Sequence, residues 1–166
     1  MSQTLDLPIG AISEDGCLAF STQADLDSAL DVGAFYLKVP EDLSLECARH
    51  FGMSLLDPNS PHRDVPQYGE LEGFIALDNN QQTKLALRRH RWAKHYPDDI
   101  ARFGGQLDAI GVAIIREIFR QSAIPEAYWD RASGGYASGE GTAFLNFVHY
   151  DTRTTDWGLR AHTDYG

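Results

Sequence analysis

The feature that most constrains this chain is a long amphipathic segment, Asp98–Ala123. Its large apolar residues recur every three or four positions, the spacing of one face of an α-helix; they are Ile100, Phe103, Leu107, Ile110, Ile114 and Ile118. Gly104 and Gly105 weaken such a helix locally but need not break it. Because so apolar a face must be covered, the sequence predicts a helix whose last three isoleucines pack onto a sheet.

Strand signals alternate with this and other helical signals. The clearest is Ala143–Tyr150, "AFLNFVHY", in which alternate residues share a face: Phe144, Asn146, Val148 and Tyr150 on one side, and Leu145, Phe147 and His149 on the other. Ala34–Val39 and Phe74–Leu77 are further strand candidates. The pattern predicts an α+β fold.

Other segments are less regular. Ser21–Val32 predicts a helix capped by Ser21 or Thr22, and a second helix is expected to open at Pro40. Asp57–Gly73 is rich in Pro and Gly and predicts a loop, residues 78–97 carry no clear assignment, and the Gly-rich 133–141 predicts a flexible connector. We expect a single domain over 1–166, with a helical and strand region in 1–141 and the first core β-strands in 142–166.

Composition narrows the possible partners. The net charge is −10, from 14 basic and 24 acidic residues, and the nearest basic run is Arg88, Arg89, Arg91 and Lys94. Binding to nucleic acid by backbone neutralisation is therefore disfavoured, and a small-molecule partner fits better.

The location of the protein is also constrained by sequence. The N-terminus "MSQTLDLPIG" lacks the basic start and apolar core of a signal peptide, and no apolar run reaches membrane-spanning length. Cys17 and Cys47 form no CxxC pattern, as is typical of a reduced protein. We expect a cytoplasmic protein without membrane contact.

The segment Gly158–Gly166, "GLRAHTDYG", contains a candidate metal-ligand pair, His162 and Asp164. Residues i and i+2 of a strand point the same way, so both side chains can converge on one ion. Imidazole and carboxylate together suit Fe(II), whose common site of two His and one carboxylate needs a further His. His-x-Asp alone is a weak signal, since such a triplet is common by chance.

The setting of this pair makes it more specific. "GLRAHTDYG" resembles the strand that carries the first two iron ligands in the iron(II)- and 2-oxoglutarate-dependent dioxygenases of the isopenicillin N synthase-like group, which often have Gly-x-x-x-His-Thr-Asp followed by Gly. Looser similarities cover nearly the whole chain: "GAFYLKVP" (Gly33–Pro40), "EGF" (Glu72–Phe74), "RWAKHYPDDIARF" (Arg91–Phe103) and "FLNFVHY" (Phe144–Tyr150). Asp151 departs from the family, which usually has Pro there.

The resemblance implies a double-stranded β-helix, or jelly-roll, core and an enzyme that uses Fe(II), 2-oxoglutarate and dioxygen to oxidise an unactivated C–H bond of a small molecule. Hydroxylation is the default, with desaturation or cyclisation as variants. The family's second His and its Arg-x-Ser segment lie well downstream of the Asp ligand. About half of the barrel is therefore expected in these 166 residues, which alone would be inactive.

Three further residues are candidates for the site. The resemblance implies that His149 and Tyr150 lie near the cosubstrate, although His149 also fits a histidine at the edge of the core. Arg160 shares the strand face of the ligand pair and could meet an anionic group of the substrate, or form a salt bridge at the strand end. His90 and His95 lie in a basic stretch that we expect to be exposed, and they are poor candidates.

Two other functions fit the same sequence. One is an iron oxidase of the same fold that uses no 2-oxoglutarate, because the Arg-x-Ser segment that would decide between the two is not in view. The other is a truncated, non-catalytic relative that acts as a binding module.

Overall fold

A computed structural model describes residues 6–77 and 82–150 of the chain. This part holds six strands: β1 (Ile9–Ile12), β2 (Leu18–Phe20), β3 (Tyr36–Leu37), β4 (Gly73–Leu77), β5 (Gln82–Arg88) and β6 (Phe144–Tyr150). It also holds five α-helices: α1 (Gln23–Val32), α2 (Leu45–Ser54), α3 (Arg89–His95), α4 (Asp98–Gln121) and α5 (Trp129–Ser133). Short 3-10 turns cover Pro61–Asp64, Glu126–Tyr128 and Tyr136–Ser138. The predicted α+β class is confirmed.

The chain divides into two compact units. Within the described residues, the first unit holds 6–44 and 105–143, and the second holds 45–77, 82–104 and 144–150. The division falls inside α4, after Gly104.

The first unit contains a small mixed sheet and α1. The strands lie in the order β2-β1-β3, with β1 antiparallel to β2 and parallel to β3. Thr22 caps α1 as expected, because its hydroxyl accepts from the Asp25 N–H while the Asp25 carboxylate accepts from the Thr22 N–H. Gly33 ends the helix with a φ of 71°, which favours glycine.

The second unit contains an antiparallel sheet in the order β4-β5-β6. One face of this sheet, which we name the packed face, carries Leu85, Leu87 and Leu145, all of them buried. Phe51 of α2 covers Phe147 on the same face, with ring centroids 4.8 Å apart. The core of this unit therefore lies between the packed face and its helices.

Tyr96 connects the two longer strands of this sheet from the packed face. Its buried hydroxyl donates to the Leu145 carbonyl at 2.8 Å and to the Leu85 carbonyl at 3.3 Å. Burial raises the pKa of this phenol strongly, so the hydroxyl is protonated and donates at neutral pH.

The long helix has nearly the predicted bounds, but only part of its predicted apolar face is buried. It ends at Gln121, two residues before the predicted end, and Ile100, Phe103 and Ile110 are buried. The prediction is wrong for Leu107 and Ile118, which are exposed. Glu117 is buried instead, where its carboxylate accepts from Arg120 and Gln121. The ion pair with Arg120 and the hydrogen bond from the Gln121 amide thus allow the Glu117 carboxylate to lie on the covered side of the helix.

Three other expectations need correction. The second helix begins at Leu45 rather than Pro40, because residues 40–43 form a turn in which the Leu43 N–H donates to the Pro40 carbonyl at 3.1 Å. The unassigned residues 78–97 include β5 and α3. The Gly-rich 133–141 contains ordered turns, with Gly134, Gly135 and Gly139 at positive φ.

Candidate functional site

The predicted ligand pair lies outside the described residues. His162, Asp164 and Arg160 all fall in 151–166, and Asp151 does too. Tyr150 is described only as the last backbone position of β6. The assignment of these residues to a metal, cosubstrate or substrate therefore stays a prediction.

His149 is the one predicted site residue whose side chain is described. It lies on β6 opposite Thr83, and it is half-buried on the packed face that also carries Leu145 and Phe147. The predicted alternation of β6 is confirmed, since Phe144, Asn146 and Val148 on the other side are all exposed. His149 thus sits at the margin of the hydrophobic core, and its contact with a cosubstrate stays a prediction.

The opposite side of the sheet, which we name the open face, carries basic residues. Lys84 lies directly across from Val148, and Arg88 lies directly across from Phe144. The Arg88 guanidinium is 5.3 Å from the centre of the Phe144 ring, a cation–π distance. Two open-face positions on β5, four residues apart, therefore place cations beside exposed apolar side chains of β6.

A buried carboxylate holds one of these cations in place. Glu72 is only 6% exposed, and it accepts from the Arg88 N–H at 3.1 Å and from Arg91 Nε at 2.9 Å. The Nε of Arg88 is 3.5 Å from the other oxygen of the same carboxylate. One carboxylate therefore lies beside two guanidinium groups, so the three groups together carry a net charge of +1.

A tyrosine–histidine pair adjoins this cluster. The Tyr68 hydroxyl and His95 Nε2 are 2.6 Å apart, and the Arg91 guanidinium lies 3.8 Å from the centre of the Tyr68 ring. Burial lowers the pKa of His95, and the positive charges of Lys94 and Arg91 lower it further. A neutral imidazole can accept from the phenol at Nε2, which explains the short contact.

This pair corrects one expectation from the sequence. His95 was expected in an exposed basic stretch, but it is half-buried and partnered. Tyr68 lies 27 residues away in a loop, so local spacing gave no signal of the contact.

The thiol of Cys47, in the second unit, has a defined hydrogen-bond partner. Its Sγ donates to Asp99 Oδ2 at 3.0 Å. This hydrogen bond raises the pKa of Cys47 and lowers the pKa of Asp99. The thiol form is therefore favoured, which argues against a nucleophilic role because the thiolate is the reactive species.

The first unit contains an open cavity of about 390 Å³. Its lining mixes both charges, with Arg116 and Arg120 beside Asp15, Glu126 and Asp130. Arg116 Nε donates to the Ala137 carbonyl at 2.7 Å. The balance of charges gives this cavity no clear preference for an anion or a cation.

The described residues contain neither a group of side chains that could hold a metal ion nor a helix that could cross a membrane. Within 6–77 and 82–150, no three His, Cys, Asp or Glu side chains are grouped so that they could hold a metal ion. In the same part of the chain, no helix is both long and apolar enough to cross a membrane.

Comparison with known proteins adds no relative. No known protein family matches the chain, and no curated protein has a significantly similar sequence. The resemblance to the dioxygenases therefore depends on the motifs of this sequence alone.

Proposed function

We propose that the protein is an iron(II)- and 2-oxoglutarate-dependent oxygenase that oxidises an unactivated C–H bond of a small molecule in the cytoplasm. The observation that carries the proposal is the pair His162 and Asp164 within "GLRAHTDYG". The pair follows a strand, β6, that ends at Tyr150. That order of strand and ligand pair matches the family resemblance.

The donor chemistry of the pair fits Fe(II) as far as it extends. One neutral imidazole and one carboxylate are two members of the common iron triad of two His and one carboxylate. In this proposal a second His completes the triad, and open positions remain for cosubstrate and dioxygen.

The architecture of the second unit is compatible with a jelly-roll core. Jelly-rolls are built from two antiparallel sheets. The β4-β5-β6 sheet is antiparallel, and its packed face is covered by helices. Its open face carries exposed side chains on β6, whereas Ile75 on β4 and Ala86 on β5 are buried there. We propose that this sheet forms part of the barrel wall.

The reaction consumes a substrate C–H bond, dioxygen and 2-oxoglutarate, and it yields the hydroxylated product, succinate and CO2. The metal supplies the activation of dioxygen when it is bound. Asp164 provides the anionic ligand and His162 a neutral one, while His149 and Tyr150 are proposed to contact the cosubstrate. Arg160 is proposed to meet an anionic group of the substrate.

The test is anaerobic titration of the full-length protein with Fe(II), followed by 2-oxoglutarate. We expect a weak visible charge-transfer band that requires both additions. Asp164→Ala and His162→Ala should abolish most iron binding, because each removes one of only three protein ligands. His149→Ala should weaken the cosubstrate at most and leave the iron in place.

Matched controls come from exposed residues of the described helices. Asp31→Ala at the end of α1 and His50→Ala on α2 remove the same functional groups at solvent-facing positions. Both should bind iron like the wild type. If they lose iron as Asp164→Ala does, the proposed ligand pair is wrong.

The remaining outcomes separate the alternatives. Tight iron binding without a band on addition of 2-oxoglutarate would favour the oxidase of the same fold. Absence of iron binding by the folded full-length protein would favour the non-catalytic binding module.

A further inference from the structure

The starting point is a basic segment in an acidic protein. Residues 79–97 contain no Asp or Glu, although the whole chain has 24 of them. The segment carries five Lys and Arg residues: Lys84, Arg88, Arg89, Arg91 and Lys94. In the structure these residues lie on β5 and α3. The proposed iron chemistry gives none of them a role.

The charge balance around Arg88 favours an added anion. Glu72 is shared between Arg88 and Arg91. The side chain of Arg88 is 50% exposed. A second carboxylate could therefore reach Arg88 from solvent and compensate the positive charge that Glu72 leaves over.

The neighbouring side chains favour an anion with an apolar body. Phe144 and Val148 are 46% and 37% exposed, and they lie across from Arg88 and Lys84 respectively. Between the two cations β5 carries Ala86, which pairs with Asn146. No acidic residue occupies any of these open-face positions on β5 or β6.

The orientation of Arg88 distinguishes it from Lys84. The Nε of Arg88 lies 3.5 Å from the Glu72 carboxylate and its guanidinium lies 5.3 Å from the centre of the Phe144 ring, and these two contacts restrict its orientation. Lys84 is four residues away on the same face, about 13 Å at strand spacing. A single carboxylate therefore meets one of the two cations, and Arg88 is the better-positioned one.

We infer that the open face of the β4-β5-β6 sheet binds an organic acid with an apolar body, whose carboxylate pairs with Arg88 and whose apolar part lies on Phe144 and Val148. The assignment of this acid as the substrate rests on the proposed function. Arg88 acts here in binding, and Glu72 acts as a positioning residue through Arg88.

The test measures binding by calorimetry without iron or 2-oxoglutarate. The probe is 4-phenylbutyrate, and its neutral isostere 4-phenylbutanamide is the matched ligand control. We expect the amide to bind about fivefold more weakly, because an exposed arginine–carboxylate pair contributes about that much. The Arg88→Gln variant should bind the acid about fivefold more weakly and the amide as the wild type does.

Arg49→Gln is the matched variant control, since it removes one guanidinium from an exposed position on α2 of the same unit. It should leave binding of the acid unchanged. Phe144→Ala should weaken both probes to a similar extent, because it removes apolar contact and no charge. Circular dichroism verifies the fold of each variant.

Five results would overturn the inference. Four of them are equal binding of acid and amide by the wild type, wild-type affinity in Arg88→Gln, equal losses in Arg88→Gln and Arg49→Gln, and tighter binding of 2-oxoglutarate than of 4-phenylbutyrate. Tighter binding of hexaglutamate would also overturn it and would indicate an acidic peptide partner. Because the assay contains no metal, its failure leaves the oxygenase proposal standing, and failure of the iron titration leaves this binding site standing.

Discussion

Two adjacent glycines of α4 should respond oppositely to the same substitution. Gly104 is buried, and a Cβ added there would lie 3.0 Å from Leu145 Cδ2 and 3.1 Å from two ring atoms of Trp92. Gly105 is exposed, and a Cβ there would meet nothing within 4 Å. The pair isolates packing from helix propensity, because both residues are helical.

The magnitudes follow from these contacts. Alanine is favoured over glycine in a helix interior by about 1 kcal/mol, so Gly105→Ala should raise the free energy of unfolding by about 0.5–1 kcal/mol. Gly104→Ala makes the same gain but adds an overpacking cost of about 1–3 kcal/mol. Trp92 cannot move away easily, because it is 5% exposed and its Nε1 donates to the Leu87 carbonyl at 2.7 Å. We expect Gly104→Ala to be less stable than the wild type by about 1 kcal/mol.

Thermal unfolding followed by circular dichroism measures the difference. About 2 kcal/mol between the two variants corresponds to a separation in Tm of about 4–8 °C for a chain of this size. The wild type should melt between them. If Gly104→Ala melted at or above Gly105→Ala, the close packing of α4 against Trp92 and β6 would be refuted.

Two further predictions concern hydrogen bonds of the second unit. Tyr96→Phe should lower the free energy of unfolding by about 1–2 kcal/mol, because it removes the hydrogen bond to the Leu145 carbonyl and the longer one to the Leu85 carbonyl. Denaturant unfolding measures this change, with Tyr128→Phe at an exposed position as the control. Equal effects of the two substitutions would contradict the role of the buried hydroxyl. His95 should titrate in NMR below its ordinary pKa of about 6.5, so its contribution to stability is present above pH 6.5 and decreases as the pH falls through the lowered value. Tyr68→Phe removes the hydroxyl that lies 2.6 Å from His95 Nε2. A titration midpoint of His95 at its ordinary pKa in the wild type would show that the imidazole is solvated.

The sequence predicted the elements whose signals are local. The cap of α1 could be narrowed to Ser21 or Thr22 because a single residue determines it, and Thr22 is the residue that caps the helix. The β5 strand was missed although Leu85 and Leu87 lie two residues apart between Lys84 and Arg88, because α3 follows at Arg89 without an intervening Gly or Pro. A turn residue is the usual signal of such a boundary, and here it is absent from the sequence.

The face of α4 shows a different limit. The helix has more large apolar residues than its covered side can accommodate, so periodicity alone could not choose among them. Ile118 is exposed, while Glu117 beside it is buried and accepts from the half-exposed Arg120. Such a choice depends on the partner groups that tertiary contacts supply.

The residues of the candidate site also differ in whether the sequence alone could identify them. His162 and Asp164 were identified because two residues separated by a single residue form a local motif. The cluster around Glu72 joins residues 16 and 19 positions away, and no spacing rule predicts those partners.

The topology of the β4-β5-β6 sheet has a consequence for the order in which it folds. Residues 78–81 connect β4 to β5, whereas residues 89–143 separate β5 from its other partner, β6. Closing the longer connection costs roughly 3–4 kcal/mol of chain entropy, so the β4–β5 hairpin should form before β6 docks. During synthesis one edge of β5 therefore stays without its partner strand until β6 has been made, a period in which it can pair with other chains. The strand that precedes the proposed iron ligands in sequence is thus the last of the three to join the sheet.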